Sequence, residues 1–137
     1  MEKKVIFITG TNSGFGWLTA NTAAVLGHKV YATIRDTKGR NADKAKQLAQ
    51  VPNIEVIDLE ITDGKSVTAA VADIIKKEGR IDVVVNNAGY FAGGIAESFT
   101  EDDLDKMIDV HVKGPWRAIR AALPQMRKQH DGLIINI

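Results

Sequence analysis

The 137 residues carry 18 Lys and Arg against 17 Asp and Glu, a formal net charge of +1, and 45% of them are hydrophobic. This size and composition predict one soluble globular domain, and the balanced charge gives no basic surface that would attract nucleic acid or an anionic membrane. Cysteine is absent, and His28, His111 and His130 show no ligand spacing, so we predict neither a disulfide nor a metal site.

The amino-terminal segment lacks the pattern of a secretory signal. After Lys3 and Lys4 the apolar run covers only residues 5–8, whereas the core of a signal peptide needs about 7–15 apolar residues. No stretch of the sequence approaches the roughly 18 apolar residues that cross a membrane. We therefore expect a cytoplasmic protein.

Short apolar runs, each bounded by Gly, Asn, Asp or Pro, alternate with longer helical patterns along the chain. The runs predict β-strands at residues 5–9, 30–34, 54–59, 81–85 and 133–137. The first three helical patterns cover residues 14–26, 41–50 and 66–78.

A capping box at residues 100–103 predicts the start of a further helix. One face of this helix carries Leu104, Met107, Ile108 and His111. We expect Gly114-Pro115 to interrupt it, with helix again over residues 116–129 despite Pro124.

The alternation of strands and helices indicates repeated βαβ units and therefore a parallel sheet that is covered on both faces. Right-handed crossovers favour an α/β doubly wound sheet of the Rossmann type, with strand order 3-2-1-4-5. An incomplete (β/α)₈ barrel is the alternative fold, but it gives no reason for the glycines that follow the first strand.

A glycine-rich loop with the spacing G-x-x-x-G-x-G follows the first strand and opens the first helix. Glycines there allow a tight turn, let backbone N–H groups approach a pyrophosphate, and let the helix pack closely on the sheet, while the helix N-terminus favours an anion. No Lys follows the last glycine, so this is not a P-loop. The alternative is a turn that only shapes the connection. We predict a dinucleotide site formed by Gly10, Thr11, Asn12, Ser13, Gly14, Phe15 and Gly16.

The predicted topology brings a second distinctive loop to the same place. With strand order 3-2-1-4-5, the binding crevice lies between strands 1 and 4, where the winding of the sheet reverses. The glycine-rich loop follows strand 1, and Asn86-Asn87-Ala88-Gly89 follows strand 4. The two loops therefore flank the predicted crevice.

Together, these two motifs resemble those of the short-chain dehydrogenase/reductase family, and the resemblance runs over all 137 residues. It implies a nicotinamide dinucleotide that lies across the carboxyl edge of the sheet. Gly10, Gly14, Phe15 and Gly16 would line the pyrophosphate. By the same resemblance, Asn87, Ala88 and Gly89 would face the adenosine ribose, and Glu60, where the family usually has Asp, would meet the adenine together with the Ile61 backbone.

The end of the second strand bears on the choice of cofactor. An acidic residue there would bind the ribose 2′-OH of NAD and repel a 2′-phosphate. Ile34 stands at that position, and Arg35 follows, whose guanidinium suits a phosphate. We therefore predict that NADP(H) is preferred over NAD(H). The alternative is that Arg35 is a surface residue paired with Asp36.

The resemblance implies that hydride transfer needs a Tyr-x-x-x-Lys pair, a Ser just past strand 5 and an Asn in the helix after strand 4. Tyr31 and Tyr90 are the two tyrosines, and neither has a Lys four residues on. His111 stands at the Asn position. It is either a packed core residue or, in its neutral form, part of a proton relay.

These observations predict an NAD(P)-dependent oxidoreductase that acts on a carbonyl or alcohol substrate, with residues 1–137 as its dinucleotide-binding domain. We expect the chain to be the amino-terminal half of a longer enzyme, inactive alone, with the further strands missing. Residues 133–137 and the stripe of Trp116, Ile119, Leu123 and Met126 would then be exposed and favour a homo-oligomer. The alternatives are a non-catalytic NADP(H)-binding module and, less favoured by the two loops, a Rossmann protein such as a methyltransferase.

Overall fold

The computed structural model describes residues 2–137 as five β-strands and five α-helices that alternate along most of the chain. The strands are β1 (Val5–Ile8), β2 (Lys29–Ile34), β3 (Ile54–Asp58), β4 (Val83–Asn86) and β5 (Leu133–Asn136). The helices are α1 (Gly14–Val25), α2 (Ala42–Ala49), α3 (Gly64–Glu78), α4 (Glu101–Ile108) and α5 (Gly114–Gln129). A short 3₁₀ turn, Ala96–Ser98, precedes α4.

All five strands pair in parallel, in the order β3-β2-β1-β4-β5. Phe7 of β1 lies opposite Tyr31 on one side and Val84 on the other. The winding of the sheet reverses at β1, because β2 and β3 lie on one side of it and β4 and β5 on the other. The predicted doubly wound sheet is confirmed.

Alternate residues of the strands face two separate hydrophobic cores, as expected for a sheet with helices on both faces. In β1, Val5 and Phe7 belong to the core that α3 and α5 cover, whereas Ile6 and Ile8 belong to the core that α1 and α2 cover. α1 lies against the sheet through small buried residues, Gly16, Ala20 and Ala24. Its amino end is therefore held close to the carboxyl end of β1.

Side-chain caps set the helix boundaries next to the carboxyl edge of the sheet. Asp63 accepts hydrogen bonds from the backbone N–H of Lys65 and of Ser66, so α3 begins at Gly64, two residues before the predicted start. The predicted capping box between Thr100 and Asp103 is confirmed. Gly79, at φ 71°, ends α3 in the left-handed conformation.

The expected interruption at Gly114-Pro115 is wrong. The irregular segment is a π-helical turn, Asp109–Lys113, that joins α4 directly to α5. Gly114 is buried and helical, and Pro115 lies in the first turn of α5, where proline is well tolerated. The Arg117 guanidinium donates to the backbone oxygen of Asp109 at 3.2 Å and pairs with its carboxylate at 2.6 Å, which stabilises the wide turn.

The apolar side chains of Leu133 and Ile135 on the outer strand β5, and of Ile137 directly after it, are exposed, as predicted for this end of the sheet. Trp116 on α5 is also exposed, but Met126, expected on the same exposed stripe, is buried and belongs to the core. Among the helices of residues 2–137, each is too short or too polar to cross a membrane.

Candidate functional site

The loops that follow β1 and β4 are joined by one buried hydroxyl. Thr9 Oγ1 accepts hydrogen bonds from the backbone N–H of Asn87 and of Ala88, both at 3.0 Å, and donates to the Val85 oxygen at 3.4 Å. Thr9 is 1% exposed. Because these bonds use the full capacity of the hydroxyl, Thr9 fixes where the β4 loop leaves the sheet.

The Asn87 side chain ties the same loops together from the opposite direction. Its Nδ2 group donates to the backbone oxygen of Thr9 at 3.0 Å and to that of Gly10 at 2.8 Å. Both hydrogens of the amide are therefore used within the protein. In consequence, Asn87 supports the glycine-rich loop with its side-chain N–H groups and has only Oδ1 left for a ligand.

Two glycines permit this close approach. A Cβ on Gly10, at φ 71°, would lie 2.6 Å from the Cα of Ala88. A Cβ on Gly16 would lie 2.3 Å from the Gly10 oxygen and 2.4 Å from Asn87 Nδ2. Glycine is thus needed at both positions to bring the loops and the start of α1 together.

The glycine-rich loop is also fixed to β2. Thr11 donates to the Thr33 oxygen twice, from its backbone N–H at 2.9 Å and from its hydroxyl at 3.1 Å. Thr33 Oγ1 in turn accepts from the Gly10 N–H at 3.3 Å. The loop is therefore held from both neighbouring strands.

These loops enclose a cavity of about 280 Å³ at the carboxyl edge of the sheet. Nine of the predicted cofactor-binding residues line it: Gly10, Asn12, Ser13, Arg35, Glu60, Ile61, Asn87, Ala88 and Gly89. The other four do not: Thr11 and Gly16 are buried, Phe15 is exposed, and Gly14, at φ 56°, begins α1. Their predicted role toward a cofactor stays a prediction.

Four further residues line the cavity that the sequence analysis did not select, namely Thr33, Leu59, Tyr90 and Val110. Leu59 lies next to Glu60, and Thr33 lies two residues before Arg35. Their positions at the ends of strands could therefore have indicated that they line the cavity. Val110 comes from the π-helical turn, and no local pattern indicated that this turn reaches the cavity.

The chemistry of the lining suits a dinucleotide. The first backbone N–H groups of α1 have no acceptor within the helix, and Ser13, at its N-cap, makes no capping bond with its side chain. Such donors favour a pyrophosphate. Arg35 adds a cation on the β2 side, and Ile61, Leu59 and Val110 add apolar surface on which a base could pack.

Arg35 is paired with Glu60 and not with Asp36, so the alternative of an Arg35–Asp36 pair is wrong. The distance from Arg35 Nη1 to Glu60 Oε2 is 3.9 Å. Asp36 has φ 54° and uses its carboxylate to accept the Arg40 N–H at 2.9 Å. Ile34, at the selective position, packs in the core that α1 and α2 cover and is not among the residues that line the cavity.

His111 is exposed, so the interpretation as a packed core residue is wrong. It lies in the π-helical turn beside Tyr90, with its Nε2 3.0 Å from the Tyr90 backbone oxygen and ring centroids 5.3 Å apart. A Cβ on Gly89 would lie 2.7 Å from the His111 ring. His111 thus supports the loop after β4 without lining the cavity itself; its role in catalysis stays a prediction.

The tyrosines do not form a Tyr–Lys catalytic pair. Tyr31 is buried and donates to Glu78 Oε1 at 2.7 Å, at the end of α3 and away from the cavity. Burial, reinforced by this hydrogen bond, raises the pKa of Tyr31 well above its ordinary value. Tyr31 is therefore not suited to exchange a proton near neutral pH.

A family model described as short chain dehydrogenase matches residues 4–137. The chain belongs to this family. The 3-ketodihydrosphingosine reductase of Bacteroides thetaiotaomicron is 36% identical over 137 residues, which are 100% of this chain and 47% of that protein. The chain thus spans about half the length of this curated relative.

Solved structures of short-chain dehydrogenases have the same fold. A short-chain dehydrogenase from Streptomyces avermitilis matches with a TM-score of 0.90 and 38% identity, over 98% of this chain and 48% of that one. A metagenomic short-chain oxidoreductase in complex with NADP matches with a TM-score of 0.85 and 29% identity, over 97% of this chain and 61% of that one. The family relationship therefore extends to the whole sheet described above.

The contact between Gly10 and Ala88 generates a prediction. Gly10→Ala should lower the free energy of unfolding by roughly 2–5 kcal/mol, because the new Cβ adds both left-handed strain and a clash with the Ala88 backbone. Gly27→Ala is the matched control, because Gly27 has φ 87° and open space around its Cβ position. It should lose only about 1 kcal/mol. Urea unfolding measures both, and equal losses would contradict the proposed close approach.

Proposed function

We propose that this protein is an NAD(P)-dependent oxidoreductase that interconverts a carbonyl and an alcohol, and that residues 1–137 are its dinucleotide-binding domain. The cavity between the β1 and β4 loops carries the proposal, because cofactors of this type bind where the winding of a doubly wound sheet reverses. Family membership supports the reaction class.

Each part of the cavity has a proposed role toward the dinucleotide. Asn12, Ser13 and the free N–H groups of α1 would hold the pyrophosphate, with Gly10, Thr11, Gly14, Phe15 and Gly16 shaping the loop around it. Ala88 and Gly89 would face the adenosine ribose through their backbone, with Asn87 Oδ1 beside them. Glu60 and Ile61 would border the adenine, opposite the apolar Val110.

We propose a preference for NADP(H) because Arg35 lines the cavity and no acidic side chain occupies the end of β2. A guanidinium forms charge-assisted hydrogen bonds with a phosphate. The similar metagenomic oxidoreductase that was solved in complex with NADP supports this preference.

The proposed substrate is a small-molecule ketone or the corresponding secondary alcohol. The similar Bacteroides protein is named as a reductase of a keto compound, which supports this class. Reduction of the carbonyl consumes one hydride from the reduced nicotinamide and one proton, and yields the alcohol and the oxidised nicotinamide. Thr9 and Asn87 contribute by holding the binding loops in place and not by contact with the substrate.

The alternative function is a non-catalytic NADP(H)-binding module. Its support is that the cavity carries groups suited to hold a dinucleotide, which a binding module needs as much as an enzyme does. We also propose that the protein is cytoplasmic and, from its balanced charge, that it has no affinity for nucleic acid or for an anionic membrane surface. Its exposed residues on β5 and Trp116 would favour a homo-oligomer.

The preference for NADPH is tested by Arg35→Ala. This variant should weaken NADPH binding by roughly 1–3 kcal/mol and leave NADH binding nearly unchanged, because only NADPH loses a charge-assisted pair. Arg127→Ala is the control, since it removes the same charge from an exposed residue in the last turn of α5. Calorimetric titration measures the affinities of the wild type and of both variants for NADPH and for NADH. An equal loss for NADPH and NADH would reject the role of Arg35.

The absence of a Tyr-x-x-x-Lys motif from these residues leads to a prediction about their activity. The 137-residue chain should bind NADPH but show no NADPH oxidation coupled to reduction of simple ketones, because neither Tyr31 nor Tyr90 belongs to a Tyr-x-x-x-Lys motif. Absorbance of NADPH at its near-ultraviolet band follows the reaction, with a complete reductase of the family as the positive control. Measurable turnover would assign the proton transfer to His111 or Tyr90.

A further inference from the structure

We propose that Glu60 is a specificity-determining residue that limits the preference for NADPH, because a 2′-phosphate has to displace its carboxylate from Arg35. This inference rests on the proposed function, since it concerns how the same cavity distinguishes two dinucleotides. It assigns Glu60 a role beyond that of a neighbour of the adenine.

The first observation is the pair itself. Arg35 Nη1 and Glu60 Oε2 are 3.9 Å apart, and both side chains line the cavity. Their side chains are 58% and 43% exposed, so an incoming ligand reaches either one. Within residues 2–137, Glu60 is the one acidic side chain within ion-pair distance of Arg35.

The second observation is that the backbone around Arg35 is held firmly. Asn41 Nδ2 donates to the Arg35 oxygen at 2.7 Å. The Asp58 carboxylate accepts the N–H groups of Asp36 at 3.1 Å and of Thr37 at 3.3 Å. A ligand that recruits Arg35 therefore has to turn its side chain away from Glu60, because the loop that carries it is fixed.

The third observation is that Glu60 is oriented by its own loop. Its Oε1 accepts the Thr62 N–H at 3.3 Å, which leaves Oε2 toward Arg35. Departure of Arg35 would leave this carboxylate in place beside the phosphate. Like charges at short range repel, so the carboxylate opposes a 2′-phosphate but does not oppose the neutral 2′-OH of NADH.

The test is Glu60→Gln, which keeps the size of the side chain and an oxygen for the Thr62 N–H but removes the charge. We expect the ratio of NADPH affinity to NADH affinity to rise about two- to fivefold, the range that corresponds to an exposed ion pair, because any change at the adenine affects both dinucleotides alike. Glu2→Gln is the matched control, because it changes the net charge equally. Glu2 precedes the amino end of β1, whereas the cavity lies at the carboxyl edge of the sheet.

A double-mutant cycle separates the ion pair from a general charge effect. In the Arg35→Ala background, Glu60→Gln should improve NADPH binding less than it does in the wild type, because no pair remains to be broken. Equal effects in both backgrounds would overturn the competition between Glu60 and the phosphate for Arg35. An equal change for NADPH and NADH would overturn the role of Glu60 in specificity.

The proposed function fails in a different way. If the wild type binds neither dinucleotide, both proposals are overturned. If it binds NADPH and loses that binding selectively in Arg35→Ala, the proposed function holds, and an unchanged ratio of NADPH to NADH affinity in Glu60→Gln overturns only the inference about Glu60.

Discussion

The Thr9 hydroxyl, buried between β1 and β4, is the contact on which the candidate site depends. It accepts hydrogen bonds from two N–H groups of the loop after β4 and donates one to the Val85 oxygen of β4 itself. Asn87 and Ala88 lie past the end of β4, beyond its ladder with β1, so their N–H groups take the Thr9 hydroxyl as acceptor in place of a strand backbone. A buried hydroxyl at this one position satisfies both loops and holds them together.

The other features of the site follow from that contact. Because the loops are close, Gly10 and Gly16 have no room for a Cβ, and Asn87 reaches two carbonyl groups of the glycine-rich loop. With the loops fixed to each other, the cavity is bounded by rigid backbone. The charged side chains Arg35 and Glu60 lie at the rim of the cavity, where both are exposed and can pair with a ligand.

Periodicity and motifs were sufficient to predict the sheet order and most of the cavity lining, since strand ends of a parallel sheet meet at one edge. Contacts that depend on tertiary packing were not predictable. Gly114 and Pro115 are typical helix breakers, yet a π-helical turn continues the helix, and the Arg117 guanidinium bonds to the Asp109 backbone oxygen in that turn. His111 shares a face with apolar residues, but that face is not covered within the described part of the chain. The partner of Arg35 lies on another strand's loop, so the sequence neighbour Asp36 was misleading.

The most direct test of this account compares Thr9→Val with Thr9→Ser in unfolding free energy and in NADPH affinity. Valine removes the hydroxyl at nearly constant volume and leaves the N–H groups of Asn87 and Ala88 unpaired. We predict that Thr9→Val loses roughly 2 kcal/mol of stability and binds NADPH more weakly, whereas Thr9→Ser retains most of both. A Thr9→Val protein that matches the wild type in stability and in NADPH affinity would contradict the account.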